Sequence, residues 1–298
     1  MRKITLLDGS IGQELVLRSK KKPTPLWSTE VLLENPQLVS DVHSEYFRCG
    51  ATIATTNTYP VLRDRLERVD LAHKLEALWD SAIKLALESR DAHGKGRVAG
   101  SIGPLVGSYR PESCPSPEVA VVSYAEIINA LAPAVDLLLL ETMSSVSQAE
   151  GALRASVGSG PPVWLAVTVD DFDGRVLRSG EALNDLQPLL ESFEPDALLI
   201  NCSRPEAVSD AVDVIKDFGL PFGAYANGFE KISRDFVETS PTVDKLDQRD
   251  DLDEEKYADF VMSWIEKGAS IVGGCCEIGP SHIRKLSDRI SDADFKIV

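Results

Sequence analysis

An α/β fold of the (β/α)8 (TIM) barrel class, built as a single domain over residues 1–298, is the architecture this sequence predicts. Short apolar runs alternate with longer segments of helical period, which implies parallel strands joined by crossover helices. Eight such runs can be counted, the number that closes a barrel. The chemically versatile residues fall just after runs, and barrel enzymes build their sites at the C-terminal ends of the strands. An open doubly wound sheet is the alternative, and the position of these groups favours the barrel.

The runs are Ile4–Leu7, Ala51–Thr55, Val98–Gly100, Leu137–Leu140, Val163–Val167, Leu198–Ile200, Phe222–Ala224 and Ile271–Val272. Between the first two, Asn35 as cap and Pro36 at the first helical position open a helix. Its stripe is Leu38, Val39, Val42, Tyr46 and Phe47, and Gly50 stops it. Ser203-Arg204-Pro205-Glu206 predicts a capping box for a helix through Ile215. Gly279-Pro280 opens the last helix. Gly94-Lys95-Gly96 reads as a turn, since it lacks the spacing of a phosphate loop. The stretch from Glu238 to Lys256 breaks the rhythm; its many acids, Asp244 to Glu255, predict a solvated loop. A calcium loop needs a glycine at its sharp turn, and this stretch has none.

At 298 residues and 43% hydrophobic content, the chain can bury a substantial core. A formal net charge of −16 argues against nucleic-acid and anionic-membrane partners, which call for a basic footprint. No apolar stretch approaches the roughly 18 residues of a membrane helix. The start, Met1-Arg2-Lys3-Ile4, runs straight into a strand, so no signal peptide is expected. Five cysteines, an odd number, suit a reducing compartment better than a disulfide framework. The expectation is a cytoplasmic protein that works on small molecules.

The cysteines carry the sharpest signal. Cys202 follows the sixth run, and Cys275 and Cys276 follow the eighth in Gly273-Gly274-Cys275-Cys276, so all three sulfurs can meet at one strand-end face. Three thiolates around one point make a zinc site with an open fourth position, the arrangement of catalytic zinc. Two other readings stand beside it: small buried hydrophobes, or a strained disulfide between Cys275 and Cys276. Cys49, at the end of a helix, and Cys114, in a proline-rich loop, read as structural. His43, His73, His93 and His282 all lie in helical segments away from strand ends, and they too are assigned to structure.

The chain resembles the homocysteine S-methyltransferases, the barrel group with S-methylmethionine-dependent and betaine-dependent members. The likeness spans nearly the whole sequence. It is carried by Leu6-Leu7-Asp8-Gly9-Ser10-Ile11-Gly12, Leu26-Trp27-Ser28, Val31-Leu32-Leu33-Glu34-Asn35-Pro36, Thr56-Asn57-Thr58-Tyr59, Gly100-Ser101-Ile102-Gly103-Pro104, Glu141-Thr142, Asn201-Cys202 and the Gly-Gly-Cys-Cys segment. The stretch from Leu26 to Asn35 is most similar to the S-methylmethionine branch.

The resemblance implies an enzyme that moves a methyl group from a small sulfonium or quaternary ammonium donor to homocysteine, forming methionine. It implies zinc on Cys202, Cys275 and Cys276, with the homocysteine sulfur as fourth ligand held as thiolate. Methyl transfer then needs in-line approach and desolvation, with no obligatory general base. By the same resemblance Glu141 pairs with the substrate ammonium, and Asp8 and Gly9 contact homocysteine. The donor's cationic head calls for aromatic faces; Trp27 and Tyr59 stand in the family segments nearest that role, and Tyr109, Phe172 and Tyr225 are weaker candidates. Asn227 occupies a family Pro-Asn turn in which Ala226 replaces the proline. The loop from Leu105 to Glu112 lacks the longer acidic, glycine-rich segment associated with S-methylmethionine enzymes. S-methylmethionine, betaine and dimethylsulfoniopropionate therefore all stay open as donors, as does another thiol or selenol as acceptor. A zinc- or thiol-binding barrel without turnover is the rival outside enzymes.

Overall fold

The computed structural model describes residues 1–22, 24–232 and 246–298. Its strands are β1 (Lys3–Leu6), β2 (Ile53–Thr55), β3 (Arg97–Ile102), β4 (Leu137–Met143), β5 (Val163–Val167), β6 (Ala197–Asn201), β7 (Phe222–Tyr225), β8 (Ile271–Val272) and β9 (Lys296–Ile297). All pair in parallel, in the order β2-β3-β4-β5-β6-β7-β8-β1-β9. Each of the eight apolar runs lies on a strand. The ninth strand escapes sequence reading because it is two residues long and half polar, aligning only Lys296 and Ile297 with Lys3 and Ile4. At the other end of the series, Leu7 bridges Ile53 in parallel, and the Thr52 N–H donates to the Leu6 carbonyl at 2.7 Å. Strand β1 thus also touches β2.

Both faces of the sheet are buried, which is why the strands read as continuous apolar runs. Leu138, Leu140, Leu165, Val167, Leu198 and Ile200 join the cluster that includes the helices. Their neighbours Leu137, Leu139, Trp164, Ala166 and Leu199 form a second cluster with Leu7, Ile53 and Tyr225. Side chains that alternate along each strand therefore fill two separate apolar layers.

Helices follow the strands: α1 (Ile11–Ser19), α2 (Ser28–Glu34), α3 (Pro36–Arg48), α4 (Arg63–Glu67), α5 (Leu75–His93), α6 (Pro117–Leu131), α7 (Val146–Ser156), α8 (Gln187–Phe193), α9 (Pro205–Ile215), α10 (Glu254–Glu266) and α11 (Pro280–Asp292). Helix α3 buries Val39, Val42, Tyr46 and Phe47 as its periodicity predicts, and Pro36 opens it, though the Asn35 side chain makes no capping bond. The capping box expected at Ser203 does not form. Arg204 is the cap of α9, and the Ser203 hydroxyl instead donates to the Val169 carbonyl at 3.0 Å.

Of the acidic stretch from Glu238 to Lys256, residues 238–245 lie outside the described residues; in the rest Asp247, Asp250, Asp251, Asp253 and Glu255 are exposed, as a solvated loop requires, and only the end is helical. Asp253 caps α10 by accepting from the Lys256 N–H, so the run of acids ends as a helix start, where negative charge meets the helix dipole. Ahead of it, Arg249 is buried between Glu206 at 2.7 Å and Asp251 at 2.8 Å. Leu246 packs with Tyr109, Cys202 and Phe229. Burial of Arg249, Leu246 and Leu252 draws part of this acidic segment against the body. Among the described residues no helix is long and apolar enough to cross a membrane.

Candidate active site

Two strands end on cysteine. Cys202 follows β6 directly, and Cys275 and Cys276 follow β8 after two glycines. Their sulfurs all lie within 4.8 Å of one another. Zinc–sulfur bonds of about 2.3 Å in a tetrahedron set sulfurs about 3.8 Å apart, so the cluster has the span of one ion's ligand set. The structure joins Cys202 to Cys275 in a disulfide and leaves Cys276 free. This pairing differs from the adjacent Cys275–Cys276 disulfide considered from sequence. Residues 202 and 275 have Cα atoms 5.6 Å apart, inside the usual range for a disulfide. Consecutive residues are held about 3.8 Å apart, below that range. Metal binding requires this pair reduced.

The backbone aims each sulfur. Cys202 adopts a left-handed φ of 50°, a strained conformation for any residue but glycine. Its N–H donates to the Tyr225 carbonyl at 3.2 Å, and its own carbonyl accepts from Thr168 Oγ1 at 3.2 Å and Arg178 Nη2 at 3.1 Å. Arg178 grips Asp171 with both arms at 3.1 and 2.8 Å and lies over the Tyr109 ring at 4.8 Å. On the other strand, the Gly274 N–H donates to the Asp8 carbonyl at 3.1 Å and the Cys275 N–H to the Ala226 carbonyl at 2.9 Å. A Cβ on Gly274 would stand 2.2 Å from Ile278 Cγ2, so only glycine lets the chain pass there. Burial pushes the Cys276 thiol up to about 12, with Glu277 and Glu141 acting the same way, so a thiolate there needs a cation beside it.

The cysteines border a cavity of about 250 Å³ that Asp8, Gly9, Trp27, Tyr59 and Glu141 also line. Asp8 accepts from the Thr55 N–H at 2.7 Å and from the Thr55 hydroxyl at 3.1 Å. Burial nonetheless holds its carboxyl well above the usual range. Glu141 sits at an irregularity in β4, where the register with β5 shifts between Leu140 and Met143. Thr142, with a φ of 64°, is pinned there by Asn201, whose Oδ1 accepts from the Thr142 N–H at 3.1 Å. Bulges of this kind re-aim side chains. Glu141 accepts from the Ser101 hydroxyl, and from the Tyr225 hydroxyl at 3.1 Å. Burial outweighs both bonds and raises its carboxyl to about 7.

Trp27 meets Tyr59 edge to face, with ring centroids 6.3 Å apart. Tyr59 shares a hydrogen bond with Ser108 at 2.6 Å. Tyr109 and Tyr225, weaker candidates from sequence, also line the cavity. Phe172 does not: it is 71% exposed, with Arg204 over its ring. Asn227 is buried away from the cavity wall, and its Oδ1 accepts from the Phe229 N–H at 3.2 Å, which folds the loop after β7. Gly9 does line the cavity, and its structural demand is severe: a Cβ would stand 2.1 Å from the Ile278 carbonyl. Gly9→Ala is expected to lower stability by about 1–3 kcal/mol, as overpacking does, which thermal unfolding will read.

Sequence reasoning missed Thr55, Arg65 and Arg178 as parts of this region. Ser101 and Thr142 stood inside motifs of the family resemblance but carried no assigned role. The histidines lie elsewhere: His43 is fully buried in α3, where burial lowers it to about 4, and His93 stacks on Phe47 at 5.2 Å.

The sequence profile of the family described as "Homocysteine S-methyltransferase" matches residues 5–290. The chain belongs to the homocysteine S-methyltransferase family. Membership makes it a methyltransferase. It is 30% identical to the homocysteine S-methyltransferase of Escherichia coli over 96% of this chain and 95% of that one. It is 26% identical to the selenocysteine methyltransferase of Astragalus bisulcatus, covering 94% of this chain and 90% of that one. Among solved structures, the E. coli homocysteine methyltransferase MmuM in its metallated form matches with a TM-score of 0.80 at 29% identity, covering 96% of each chain.

Proposed function

We propose that this family member transfers a methyl group from a small sulfonium or quaternary ammonium donor, S-methylmethionine first among them, to the thiolate of L-homocysteine, forming methionine. The observation that carries the reading is the meeting of three cysteine sulfurs within 4.8 Å at the edge of a cavity that also holds two carboxylates. Cys202, Cys275 and Cys276 are the residues that would hold zinc, and an all-sulfur donor set suits that metal. When bound, zinc supplies the Lewis acidity that keeps a thiol deprotonated near neutral pH.

The remaining work falls to the chain. Glu141, oriented by Ser101 and Tyr225, pairs with the acceptor's ammonium. Asp8 contributes a second carboxylate, and the loop at Gly9 lets the acceptor approach the backbone. Trp27 and Tyr59 offer aromatic faces to the donor cation. The acceptor sulfur attacks the methyl carbon from the side opposite the leaving group; the new S–C bond forms as the onium–C bond breaks. The onium departs as a neutral thioether or amine with the bonding electron pair. The cavity orients the two reactants and excludes water.

The sheet is read as a closed (β/α)8 barrel forming one domain, an assignment supported by the Leu7–Ile53 bridge between β1 and β2. A cytosolic setting follows from the thiol chemistry, which needs reducing conditions. The test is zinc content of the reduced protein, followed by methionine formation from homocysteine with S-methylmethionine, betaine and dimethylsulfoniopropionate in turn. About one zinc per chain with turnover on one donor is the expected result. A fully reduced protein that cannot take up zinc would end the metal assignment. A selenol acceptor is the second reading, favoured by the likeness to a selenocysteine methyltransferase. Selenocysteine offered beside homocysteine decides between them.

Arg178 enters this reading as a positioning residue, because it holds the Cys202 carbonyl. Arg178→Lys, which loses the two-armed grip on Asp171, is expected to weaken zinc binding by roughly 10-fold, within the range for groups behind metal ligands. Competition with a chelator measures this. An unchanged zinc affinity would remove the role.

A further inference from the structure

We propose that Tyr257 is a positioning residue for the sulfur cluster, its hydroxyl fixing the strand end that carries Cys275 and Cys276 against the loop that spaces it from Cys202. The inference rests on the zinc assignment proposed above and extends it to a residue of the outer helix layer. Tyr257 lies on α10 and is fully buried. Its ring is held edge-on by Trp264, with centroids 6.4 Å apart, and by His282 at 5.9 Å. The hydroxyl donates to the Gly273 carbonyl at 2.7 Å and accepts from the Ala226 N–H at 3.2 Å. The Ala226 carbonyl is a longer acceptor, at 3.4 Å. One side chain thus ties the end of β7 to the end of β8.

That tie matters because of the segment to which Ala226 belongs. Residues 225–228 run between the two cysteine-bearing strand ends and bond to both. On one side the Tyr225 carbonyl accepts from the Cys202 N–H at 3.2 Å, and the Asn227 N–H donates to the Ser203 carbonyl at 3.0 Å. On the other side the Ala226 carbonyl accepts from the Cys275 N–H at 2.9 Å, and the Gly228 N–H donates to the Cys276 carbonyl at 2.9 Å. Neighbouring residues face opposite strands, as in the middle strand of a parallel ladder. The segment is therefore the spacer that sets how far Cys202 stands from the other two sulfurs.

Two ties then act on opposite sides of the cluster. Arg178 and Thr168 hold the Cys202 carbonyl. Tyr257 holds the spacer together with Gly273, two residues ahead of Cys275, and so limits the movement of that sulfur before any metal arrives. Ligands already in place lose less freedom when an ion binds, and groups behind metal ligands carry about 10- to 100-fold in affinity for this reason. Without the hydroxyl, the Gly273 carbonyl loses its 2.7 Å donor and the Ala226 N–H its acceptor. Both groups are buried, so the strand ends must shift to find other partners.

The experiment is competition with a zinc chelator on the fully reduced full chain, alongside thermal unfolding. Tyr257→Phe keeps the ring, and it is expected to weaken zinc binding by roughly 10-fold. Ser209→Ala is the control: it removes the hydroxyl that accepts from Trp264 Nε1 at 2.8 Å, a bond that ties α10 to α9 instead of to the strand ends. Its zinc affinity is expected to stay within about twofold of the native value, as for an independent site. Unchanged affinity in Tyr257→Phe overturns the proposal. So does an equal loss in Ser209→Ala, since loosening of the helix would then explain both. If Tyr257→Phe does not fold, hydrogen exchange on the unaltered protein decides. The Ala226 N–H donates to Tyr257, so linkage requires zinc to slow its exchange by the same factor of roughly 10, and an unchanged rate overturns the proposal. A native protein that takes up no zinc refutes the metal assignment and this proposal together, whereas equal zinc binding by native protein and Tyr257→Phe refutes the proposal alone. Because binding is read directly, a protein that holds zinc yet forms no methionine would refute the transfer reaction and leave the role of Tyr257 standing.

Discussion

Cys202→Ala is expected to abolish methyl transfer and to reduce zinc from about one ion per chain to a small fraction, with Cys275→Ala and Cys276→Ala doing the same. Each removes one of three thiolates, and a two-thiolate remnant cannot hold the ion at working concentrations. The three variants differ in what else they disturb. Cys202 is buried and carries a left-handed backbone pinned by Thr168 and Arg178, so its replacement keeps the strain while losing the sulfur. Cys276 is more open and sits beyond the Cys202–Cys275 pair, so Cys276→Ala should leave thermal unfolding nearly unchanged while still emptying the site. Metal analysis and methionine formation on fully reduced protein are the measurements. Full activity in Cys202→Ala would sink the zinc assignment outright.

Replacement of Glu141 produces the second large effect, and its size depends on pH. Glu141→Gln is expected to raise the homocysteine KM by roughly 10- to 100-fold, because a buried ammonium then loses its charged partner. Methionine, the product, offers a cleaner probe, since it has the same ammonium and no thiol to titrate. With the Glu141 carboxyl raised to about 7, the ligand-free site is largely protonated at pH 6 and ionised at pH 8. Methionine should bind more tightly as pH rises across that window, and Glu141→Gln should flatten the dependence. An unchanged acceptor KM would remove the assigned role.

Stability carries the opposite sign. An unfolded glutamate ionises near the model-peptide value of about 4.3, whereas Glu141 in the fold keeps its proton until about 7. Folding stability is therefore lost as pH rises between those values, and the loss is complete above the upper one. Glu141→Gln should match the parent protein below the window and be more stable above it. After allowance for partial exposure, the gain is about 1–2 kcal/mol. A residue whose removal both stabilises the fold and damages binding is held there by function.

Much of this was legible in the chain before any coordinates. Strands buried on both faces announce themselves as unbroken apolar runs, so all eight of those runs were found; β9, with one lysine and one isoleucine, has no such signature. The α3 boundary was readable because proline at a helix start is a local backbone property. The capping box at Ser203 was not, because its hydroxyl is claimed by Val169, a residue far away in sequence. Arg249 ended up buried in an acidic stretch for the same reason: Glu206, which pairs with it, comes from another part of the chain.

The sequence by itself determined the alternating architecture, the three cysteines after strands, and the motif pattern that marks the family, since these depend on residue type and spacing along one chain. Only the tertiary structure decided which cysteines pair, how a bulge at Thr142 turns Glu141 inward, and that burial lifts its carboxyl to about 7. Those are properties of groups brought within a few ångströms across long sequence separations. Desolvation and Coulomb energies depend on those distances and on burial, and neither is written in local spacing.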